Sequence, residues 1–548
     1  MIVYQIFTRL FGNRNTTRKE WGSVAENGSG KMNDIDAQVL KRIKAMGVTH
    51  VWFTGVLRHA SQTDYTACGI PAQNAEVVKG RAGSPYAITD YYDIDPDLAG
   101  DVNKRMQEWE SLIARTHKAG MKVIMDFVPN HVARQYHSVC KPKGVRDLGE
   151  DDDVNKHFST HNNFYYCWGQ PLDLGDVTDS QTYHETPARA TGNDHFDNRP
   201  GRNDWYETVK LNYGVDYCDA GGRSEHFDPI PDTWTKMTDI LMYWAGKGVD
   251  GFRCDMAEMV PAAFWAYATK VLKTAYPHII FIGEVYNPSL YRTYIEAGFD
   301  LLYDKVGMYD SLRDIVCGRR WASDITTQWQ QTDDIRDHML YFLENHDEQR
   351  IASDFFAGEP WAAYPAHIVS CLLHTNPYML YAGQELGERG MDKEGFSGRD
   401  GRSTIFDYWS MDSVNHGYFD IRKKTPSERK LMEAYKRVML IAEKEKAASR
   451  GLTFDLMYVN GHLAQSQYAF LRKKDDELLL VVVNFAAEAI DTGVIIPSHA
   501  FEYMGIAEGD ADAVDLLSDG KAKLHLAVNE AVNVAVPAHG GVVYKIKQ

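Results

Sequence analysis

Three short tracts decide the fold of this chain: Gly251-Phe252-Arg253-Cys254-Asp255, Phe281-Ile282-Gly283-Glu284-Val285 and Glu344-Asn345-His346-Asp347. In each tract, charged residues stand at or just after the end of a short apolar run. This pattern is typical of a buried parallel strand that delivers a side chain to the catalytic rim of a β/α barrel. A pair of carboxyl groups, one ionised and one protonated, is the minimum equipment for cleaving a glycosidic bond. The tracts therefore predict a sugar-cleaving enzyme.

Eight apolar runs predict the strands of a closed barrel. The runs are residues 2–8, 48–54, 122–128, 249–255, 279–285, 299–303, 339–345 and 377–382. Segments with helical spacing lie between most of them, and alternation of strands with helices implies a parallel sheet. We therefore expect an α/β fold built on an eight-stranded β/α (TIM) barrel.

Two regions depart from this alternation. About a hundred residues after the third strand are rich in Asn, Asp, Gly, His and Tyr, which is too long for an ordinary loop and predicts an inserted subdomain. Near the C-terminus, short alternating strands around the turn Lys474-Asp475-Asp476 predict an antiparallel β-sandwich. The expected division is a barrel from residues 1–131 and 232–450, an inserted subdomain at 132–231, and a C-terminal domain at 451–548.

Charge and composition narrow the partners. Lys and Arg total 59 against 76 Asp and Glu, which gives a net charge of -17, and no polybasic tract is present. Nucleic acids and anionic membrane surfaces are therefore disfavoured as partners. A neutral sugar fits better, because 12% aromatic residues supply stacking surfaces.

The sequence contains few features that indicate a cellular compartment or a disulfide scaffold. The seven cysteines lack CxxC spacing, which argues against a zinc site or a disulfide scaffold. No apolar run approaches the roughly 20 residues that span a bilayer. The first predicted strand follows Met1 directly and leaves no room for a secretion leader. We expect a cytoplasmic protein, or a periplasmic or extracellular one if a leader was removed.

The first two tracts supply a nucleophile and an acid. Arg253 and Asp255 are two residues apart on a strand, so their side chains share a face. An arginine beside a carboxylate favours the ionised form, which a nucleophile requires. Glu284 lies between apolar neighbours, and burial keeps a carboxyl group protonated as a general acid.

The third tract and a fourth add polar groups at the same rim. His346 and Asp347 could bind sugar hydroxyls, and Asp126 follows another predicted strand with Asn130 and His131 close behind. A single such tract is more often a charged residue that ends a strand or forms a structural ion pair. Four tracts in barrel order favour an active site.

These four tracts together resemble the signature regions of the α-amylase family of glycoside hydrolases. The matching segments are residues 126–131 (DFVPNH), 251–255 (GFRCD), 283–285 (GEV) and 344–347 (ENHD). Residues 47–52, 84–92 and 378–385 are similar to further regions of the family. With the insertion and the β-rich tail, the resemblance covers nearly the whole chain.

The resemblance implies a retaining, two-step cleavage of α-glucosidic bonds. Asp255 would be the nucleophile, Glu284 the general acid that later acts as a base, and Asp347 the group that grips the sugar and stabilises the transition state. Arg253 would orient Asp255, while His131 and His346 would hydrogen-bond the same glucose. Tyr86 would stack under that glucose, and Asp126 is also expected among the substrate-binding residues. In the family a Gly is more frequent than Pro85 before the tyrosine. The chemistry requires no cofactor.

The family's structural calcium is a separate expectation. Glu258 and Met259 stand where its amylases often place Lys and His, and Lys210 stands where many members carry a ligating Asp. An ammonium cannot ligate a cation, so we expect that site to be absent. A second candidate is the loop after the first strand, although an ordinary solvated loop is favoured over a calcium clamp. Its possible ligands are Asn13, Asn15, Asn33 and Asp34.

Three functions remain open from the sequence. The favoured one is hydrolysis of mainly α-1,4 bonds in starch-like glucans and maltooligosaccharides. The same chemistry would serve an α-glucan transglycosylase or an α-glucosidase acting on short oligosaccharides. A non-catalytic relative is disfavoured because all three carboxylates, Asp255, Glu284 and Asp347, are present. Linkage preference, endo or exo attack, and oligomeric state are not predicted.

Overall fold

A closed barrel of eight parallel strands forms the centre of the computed structural model, which describes residues 1–390 and 395–548. The barrel strands are Ile2–Phe7, His50–Thr54, Lys122–Phe127, Gly251–Cys254, Ile280–Gly283, Leu301–Tyr303, Met339–Phe342 and Tyr378–Tyr381. They pair in chain order, and the first strand closes the barrel by pairing with both the second and the eighth. The predicted eight-stranded barrel is confirmed, with strand ends trimmed by one to three residues.

Side-chain alternation separates the inside of the barrel from the outside. A compact cluster of buried residues contributed by the strands fills the interior, including Val3, Trp52, Ile124, Ile282 and Met379. Intervening residues, such as Phe252 and Phe281, belong instead to the large outer core that the helices cover. The interior of the barrel is therefore a packed core and not a pore, so a ligand can bind only at the ends of the barrel.

Helices cover the barrel and bury one face each. Between and after the strands they run over Val24–Asn27, Ala37–Lys44, Arg105–Lys118, Asp232–Gly246, Ala262–Ala275, Tyr291–Glu296, Asp310–Val316, Asp324–Gln331, Tyr364–Leu372, Asp412–Tyr418, Pro426–Lys444 and Lys446–Arg450. In Arg105–Lys118 the buried positions Trp109, Leu112, Ile113 and Thr116 recur at the spacing of one helical face. Pro426–Lys444 starts with a capping box between Thr425 and Glu428, which satisfies free backbone donors of the first turn.

The segment between the third and fourth barrel strands, residues 132–231, is called the inserted segment here. It contains short strand pairs and no α-helix among its residues. The pair His131–Ala133 with Thr208–Lys210 fastens it to the end of the third barrel strand. Phe164, Tyr165 and Tyr166 are buried, and Phe164 and Tyr166 belong to the large core that surrounds the barrel.

The C-terminal part folds into two antiparallel sheets, as predicted. The larger sheet has the order Leu452–Asp455, Gln467–Lys474, Glu477–Asn484, Gly540–Lys547, Gly509–Asp515, Lys521–Leu526. The smaller pairs Ile490–Ile495 with Ala531–Val536, and helix Ser498–Met504 lies between strands of the two sheets in the chain. Across the residues that the structure describes, no helix combines the length and apolarity needed to cross a bilayer.

Candidate active site

A cavity of about 260 Å³ lies at the end of the barrel where the strands finish. Asp255 directly follows the fourth strand and Glu284 the fifth, and both line the cavity together with Asp347, which comes after the seventh strand. Tyr86 and His131 line it as well. Five of the eight residues predicted for catalysis or binding therefore share one cavity. A larger groove, about 1200 Å³, lies between helix Pro426–Lys444 and the C-terminal sheets and contains none of the three carboxylates.

Arg253 contacts the carboxylates of both Asp255 and Glu284. Its Nη1 donates to Asp255 Oδ1 at 2.7 Å, and its Nη2 lies 2.8 Å from Glu284 Oε2. The guanidinium is fully buried and does not line the cavity. The rings of Trp52 and Tyr303 lie 5.2 and 5.5 Å from its central carbon, and Tyr303 accepts a hydrogen bond from Nε. Arg253 is therefore placed to orient two carboxylates and not to touch a ligand.

Glu284 is held through both carboxyl oxygens. The hydroxyl of Tyr286 donates to Oε1 at 2.7 Å, and the backbone N–H of Met256 donates to Oε2 at 2.8 Å. Glu258 in turn accepts hydrogen bonds from the backbone N–H groups of Tyr286 and Asn287. The residue that stands out in sequence as a departure from the family pattern thus fixes the loop that carries Tyr286.

His346 lies behind the cavity wall. Its Nδ1 faces Gln5 Nε2 at 2.8 Å, and its Nε2 contacts the Tyr86 hydroxyl and lies 3.1 Å from Asp347 Oδ2. Burial lowers the pKa of His346 well below its usual value, so the ring is neutral. Because the amide nitrogen of Gln5 donates, Nδ1 accepts and Nε2 carries the proton. The structure therefore places His346 as a support for Tyr86 and Asp347.

His131 lies where the inserted segment meets the barrel. Burial, and next the charge of Lys210, lower the pKa of His131 to about 3. Its ring centroid is 5.1 Å from that of Trp205, which also lines the cavity. A neutral imidazole in this position can both donate to and accept from sugar hydroxyls.

Asp126 does not line the cavity, although the sequence assigned it to substrate binding. Its Oδ2 accepts from the backbone N–H of Gly55 at 2.9 Å, and its Oδ1 is 3.9 Å from Arg253 Nη1. Burial raises the pKa of Asp126 to about 6. Asp126 is therefore a neighbour of Arg253 in the layer below the cleft, and its direct contact with substrate stays a prediction.

The cleft is short of positive charge. Burial first, and the charge of Glu284 second, raise the pKa of Asp255 well above its usual value, and Arg253 only partly opposes them. The same two causes raise the pKa of Asp347 to about 7. Arg253 favours the ionised form of Asp255, but burial and the charge of Glu284 oppose it. The cluster therefore retains a proton toward neutral pH.

Comparison with known proteins decides the family. Residues 5–435 match the model of the α-amylase catalytic domain, and residues 458–547 match that of the α-amylase C-terminal all-β domain. The chain belongs to the α-amylase family of glycoside hydrolases.

Its relatives within the family are distant. α-Amylase 3 of Dictyoglomus thermophilum is 23% identical over 509 residues, which cover 88% of this chain and 84% of that protein. Neopullulanase 2 of Thermoactinomyces vulgaris is 20% identical over 510 residues, 89% of this chain and 69% of that protein. The crystal structure of an α-amylase from Geobacillus thermoleovorans complexed with acarbose superposes with a TM-score of 0.66 at 19% identity, over 100% of this chain and 98% of the other.

The polar side chains of the loop after the first strand form hydrogen bonds and an ion pair, mostly within the loop. Asn13 Nδ2 donates to the carbonyls of Asn27 and Trp409, while Asn13 Oδ1 accepts from the backbone N–H of Asn15. Asn15 Oδ1 accepts from the backbone of the same loop, and Asp34 lies 3.6 Å from the guanidinium of Arg14. Asn33 lies near Gly100 instead. These contacts satisfy several of the polar groups without an ion, and a metal site at Asn13, Asn15, Asn33 and Asp34 stays a prediction.

Two other groups have the spacing for a metal ion within the described part of the chain. Asp90 and Asp93 lie with Cys140, but their carboxylates already pair with Arg58 and, for Asp93, with Arg105. The second group, in the inserted segment, consists of Asp216, Asp219 and His226. Neither group lies at the cleft, and the family's chemistry requires no metal.

Several cleft residues were not predicted from the sequence. Tyr286 is two positions after Glu284, and that spacing was a usable signal because residues two apart on an extended chain face the same side. The other missed residues come from loops far apart in the chain, and no pattern marked them. They include Lys79, Trp205, Glu207 and Phe406. Lys79 and Glu207 pair with each other at 3.0 Å.

Proposed function

We propose that this protein hydrolyses α-glucosidic bonds, mainly α-1,4, in maltooligosaccharides and starch-like glucans with retention of configuration. One observation carries the proposal: a single buried guanidinium, Arg253, holds the carboxylates of Asp255 and Glu284 in the wall of one cavity that Asp347 also lines. Two fixed carboxyl groups, one that attacks and one that protonates, are what a retaining glycosidase requires.

In the first step Glu284 donates its proton to the leaving glycosidic oxygen as Asp255 attacks the anomeric carbon. The bond from that carbon to the leaving oxygen breaks, and an ester to Asp255 forms. In the second step Glu284, now a carboxylate, takes a proton from water, and the water oxygen attacks the same carbon and releases Asp255. This sequence needs the two carboxyl groups about 5 Å apart, close enough for direct attack.

The position of one proton decides which carboxyl group attacks. While Glu284 is ionised, its charge raises the pKa of Asp255. A proton on Glu284 removes that repulsion, and Arg253 then favours Asp255 as the anion. When Glu284 loses its proton in the first step, the hydroxyl of Tyr286 and the N–H of Met256 stabilise the new charge.

Support for a glucan substrate comes from the lining of the cleft and from relatives. Aromatic rings of Tyr86, Trp205 and Phe406 offer apolar faces to a sugar, while His131 and Asp347 offer groups for its hydroxyls. A related structure contains acarbose, and one curated relative is named a neopullulanase. These names belong to those proteins, and the extension to this chain is part of the proposal.

Product profiling tests the proposal. The protein and its D255N variant are incubated with amylose, pullulan, cyclodextrins and maltooligosaccharides, and products are separated by chromatography while proton NMR follows the first anomer released. We expect shorter maltooligosaccharides, released as α-anomers, from the native protein only. Products longer than the starting sugar would indicate transfer to a sugar acceptor in place of hydrolysis. Full activity of D255N, or β-anomers as first products, would overturn the mechanism.

A further inference from the structure

Lys210 is a buried lysine beside the cleft that the proposed chemistry does not use. Its side chain is 2% exposed. Its Nζ lies 2.5 Å from Asn130 Oδ1, 2.7 Å from Asp194 Oδ1 and 3.3 Å from the carbonyl oxygen of Met259. An ammonium group has three protons to donate, and here three oxygens surround it.

The three oxygens belong to three separate segments of the chain. Asn130 lies three residues after the third barrel strand and immediately precedes His131. Met259 ends the 3₁₀ helix Ala257–Met259, which begins two residues after Asp255. Asp194 lies in the inserted segment, at a positive φ of 61° that aspartate tolerates better than most residues. The ammonium thus connects the inserted segment to the ends of the third and fourth barrel strands.

Each connected segment also supplies a residue of the cleft. His131 and Asp255 follow the two barrel strands, and Thr208 lies on the same short strand as Lys210. Asn130 strengthens the junction, because its Nδ2 donates to the carbonyl of Gly192 in the inserted segment. A shift of the inserted segment against the barrel would therefore move His131 relative to Asp255.

A calcium ion, which resemblance to the family raises for this region, does not fit these residues. Calcium takes six to eight oxygen ligands at about 2.3–2.6 Å. Here the positive Nζ of Lys210 lies within hydrogen-bond distance of the side-chain oxygens of Asn130 and Asp194. A cation bound to those oxygens would lie next to the ammonium and be repelled by it.

We propose that the Lys210 ammonium acts as a fixed internal cation that cross-links the inserted segment to the barrel, so that the geometry of the cleft needs no metal ion. Lys210 is thus a positioning residue and touches no substrate. Its effect on activity rests on the proposed function, whereas its effect on thermal stability and on chelator response does not.

The test compares four proteins: native, K210M, K210R and the control K236M. Lys236 has a matching set of partners, namely the Asp232 carboxylate at 2.9 Å, Asn163 Oδ1 at 3.0 Å and the Asp147 carbonyl at 3.0 Å, but none of these partners is next to a cleft residue in the chain. Melting temperature and kcat/KM on a maltooligosaccharide are measured with EDTA and with added calcium, at temperatures well below each melting point.

We expect the native protein to keep its melting temperature and its kcat/KM in EDTA and in calcium. K210M should melt several degrees lower and lose about tenfold or more in kcat/KM, because misplacement of a cleft residue by about 1 Å carries such a cost. K210R, which keeps the charge, should recover part of both losses, whereas K236M should melt lower but keep its kcat/KM.

Three outcomes would overturn the proposal: loss of activity or stability of the native protein in EDTA, native kcat/KM in K210M, or an equal loss of kcat/KM in K236M. If K210M does not fold, K210Q replaces it, because glutamine keeps hydrogen bonding without the charge. K210R must then lie closer to the native protein than K210Q does, and the reverse order contradicts the proposal. If no α-glucan is cleaved by any of the proteins, the proposed function fails, while the melting temperatures still decide the role of Lys210.

Discussion

Two buried clusters of charged side chains in this molecule differ in their ratio of guanidinium to carboxyl groups. At the cleft, one guanidinium from Arg253 serves the carboxylates of Asp255 and Glu284. In the inserted segment, two guanidiniums from Arg134 and Arg189 serve the single carboxylate of Glu185, at 2.8 and 2.7 Å. All six side chains are buried or nearly so.

The ratio of guanidinium groups to carboxyl groups influences the pKa of the carboxyl groups in each cluster. Burial raises the pKa of Glu185, but the charges of Arg189 and Arg134 outweigh it, so the pKa lies below its ordinary value. Burial and the charge of Glu284 raise the pKa of Asp255, and Arg253 is insufficient to reverse this. Burial alone therefore does not set protonation. A surplus of cations makes a stable structural anion, whereas a surplus of carboxylates keeps a proton available for chemistry.

The largest expected effect separates activity from stability at the cleft. D255N should reduce kcat by at least about 10⁴-fold, because an amide cannot form the covalent intermediate. Its melting temperature should be equal to or above that of the native protein, because the substitution removes a repulsion with Glu284. Steady-state kinetics and calorimetry measure both. A variant that loses its fold along with its activity would leave the two clusters indistinguishable.

The matching change in the inserted segment should have the reverse effect. E185Q leaves two buried guanidiniums without their anion, and breaking a buried ion pair costs about 3–5 kcal/mol of folding free energy. Denaturant unfolding should report this loss, while kcat measured well below the melting point stays within about threefold of native. Unchanged stability would show that the arginines need no anion there.

Removal of the hydroxyl that donates to Glu284 should have a smaller effect on rate. Y286F keeps the ring and deletes one hydrogen bond to a carboxyl group that becomes charged in the reaction. Such a bond contributes about 1.5 kcal/mol or more, which corresponds to roughly tenfold in kcat/KM. Kinetics on one maltooligosaccharide measure the change, and Y267F, outside the cleft, serves as the control. A native rate in Y286F would remove Tyr286 from the account.

The smallest expected effect is a pH dependence of stability. In the fold the pKa of Asp347 is raised from 3.8 to about 7. Between these values the folded protein holds a proton that the unfolded chain has lost, so this contribution to stability declines as pH rises toward 7. The melting temperature of D347N minus that of the native protein should therefore increase from pH 4.5 to pH 8. The exposed D512N serves as the control, and a difference that is flat or falls with pH contradicts the assignment.

Much of the fold could be predicted because its signals are local. Each barrel strand is a short apolar run, and the residue that follows it must lie at the rim, so Asp255, Glu284 and Asp347 could be placed together from the sequence. The sequence could not predict which of the side chains at the rim line the cavity and which are covered by others. Alternation shows which face a side chain occupies but not whether another side chain covers it, so it could not show that Asp126 and His346 do not line the cavity.

Contacts between distant segments were also beyond the sequence. Spacing along one strand predicted that Arg253 and Asp255 share a face, but Arg253 also contacts Glu284 on the next strand, and this second ion pair changes the charge balance. Likewise Lys210 was recognised as unable to ligate calcium, while its own three partners emerge only when the inserted segment folds onto the barrel. Patterns in sequence identify residue types at an edge of the sheet, and the pairing among them requires coordinates.

The central claim is that Asp255 attacks the substrate, and trapping the intermediate tests it most directly. A fluorinated glucosyl fluoride, in which the second step is slowed, is incubated with the native protein and with D255N, and the proteins are digested and analysed by mass spectrometry. We predict one added sugar on the peptide that contains Asp255 in the native protein and none in D255N. A sugar attached to another residue, or turnover of the reagent with no covalent adduct in the native protein, would contradict the account.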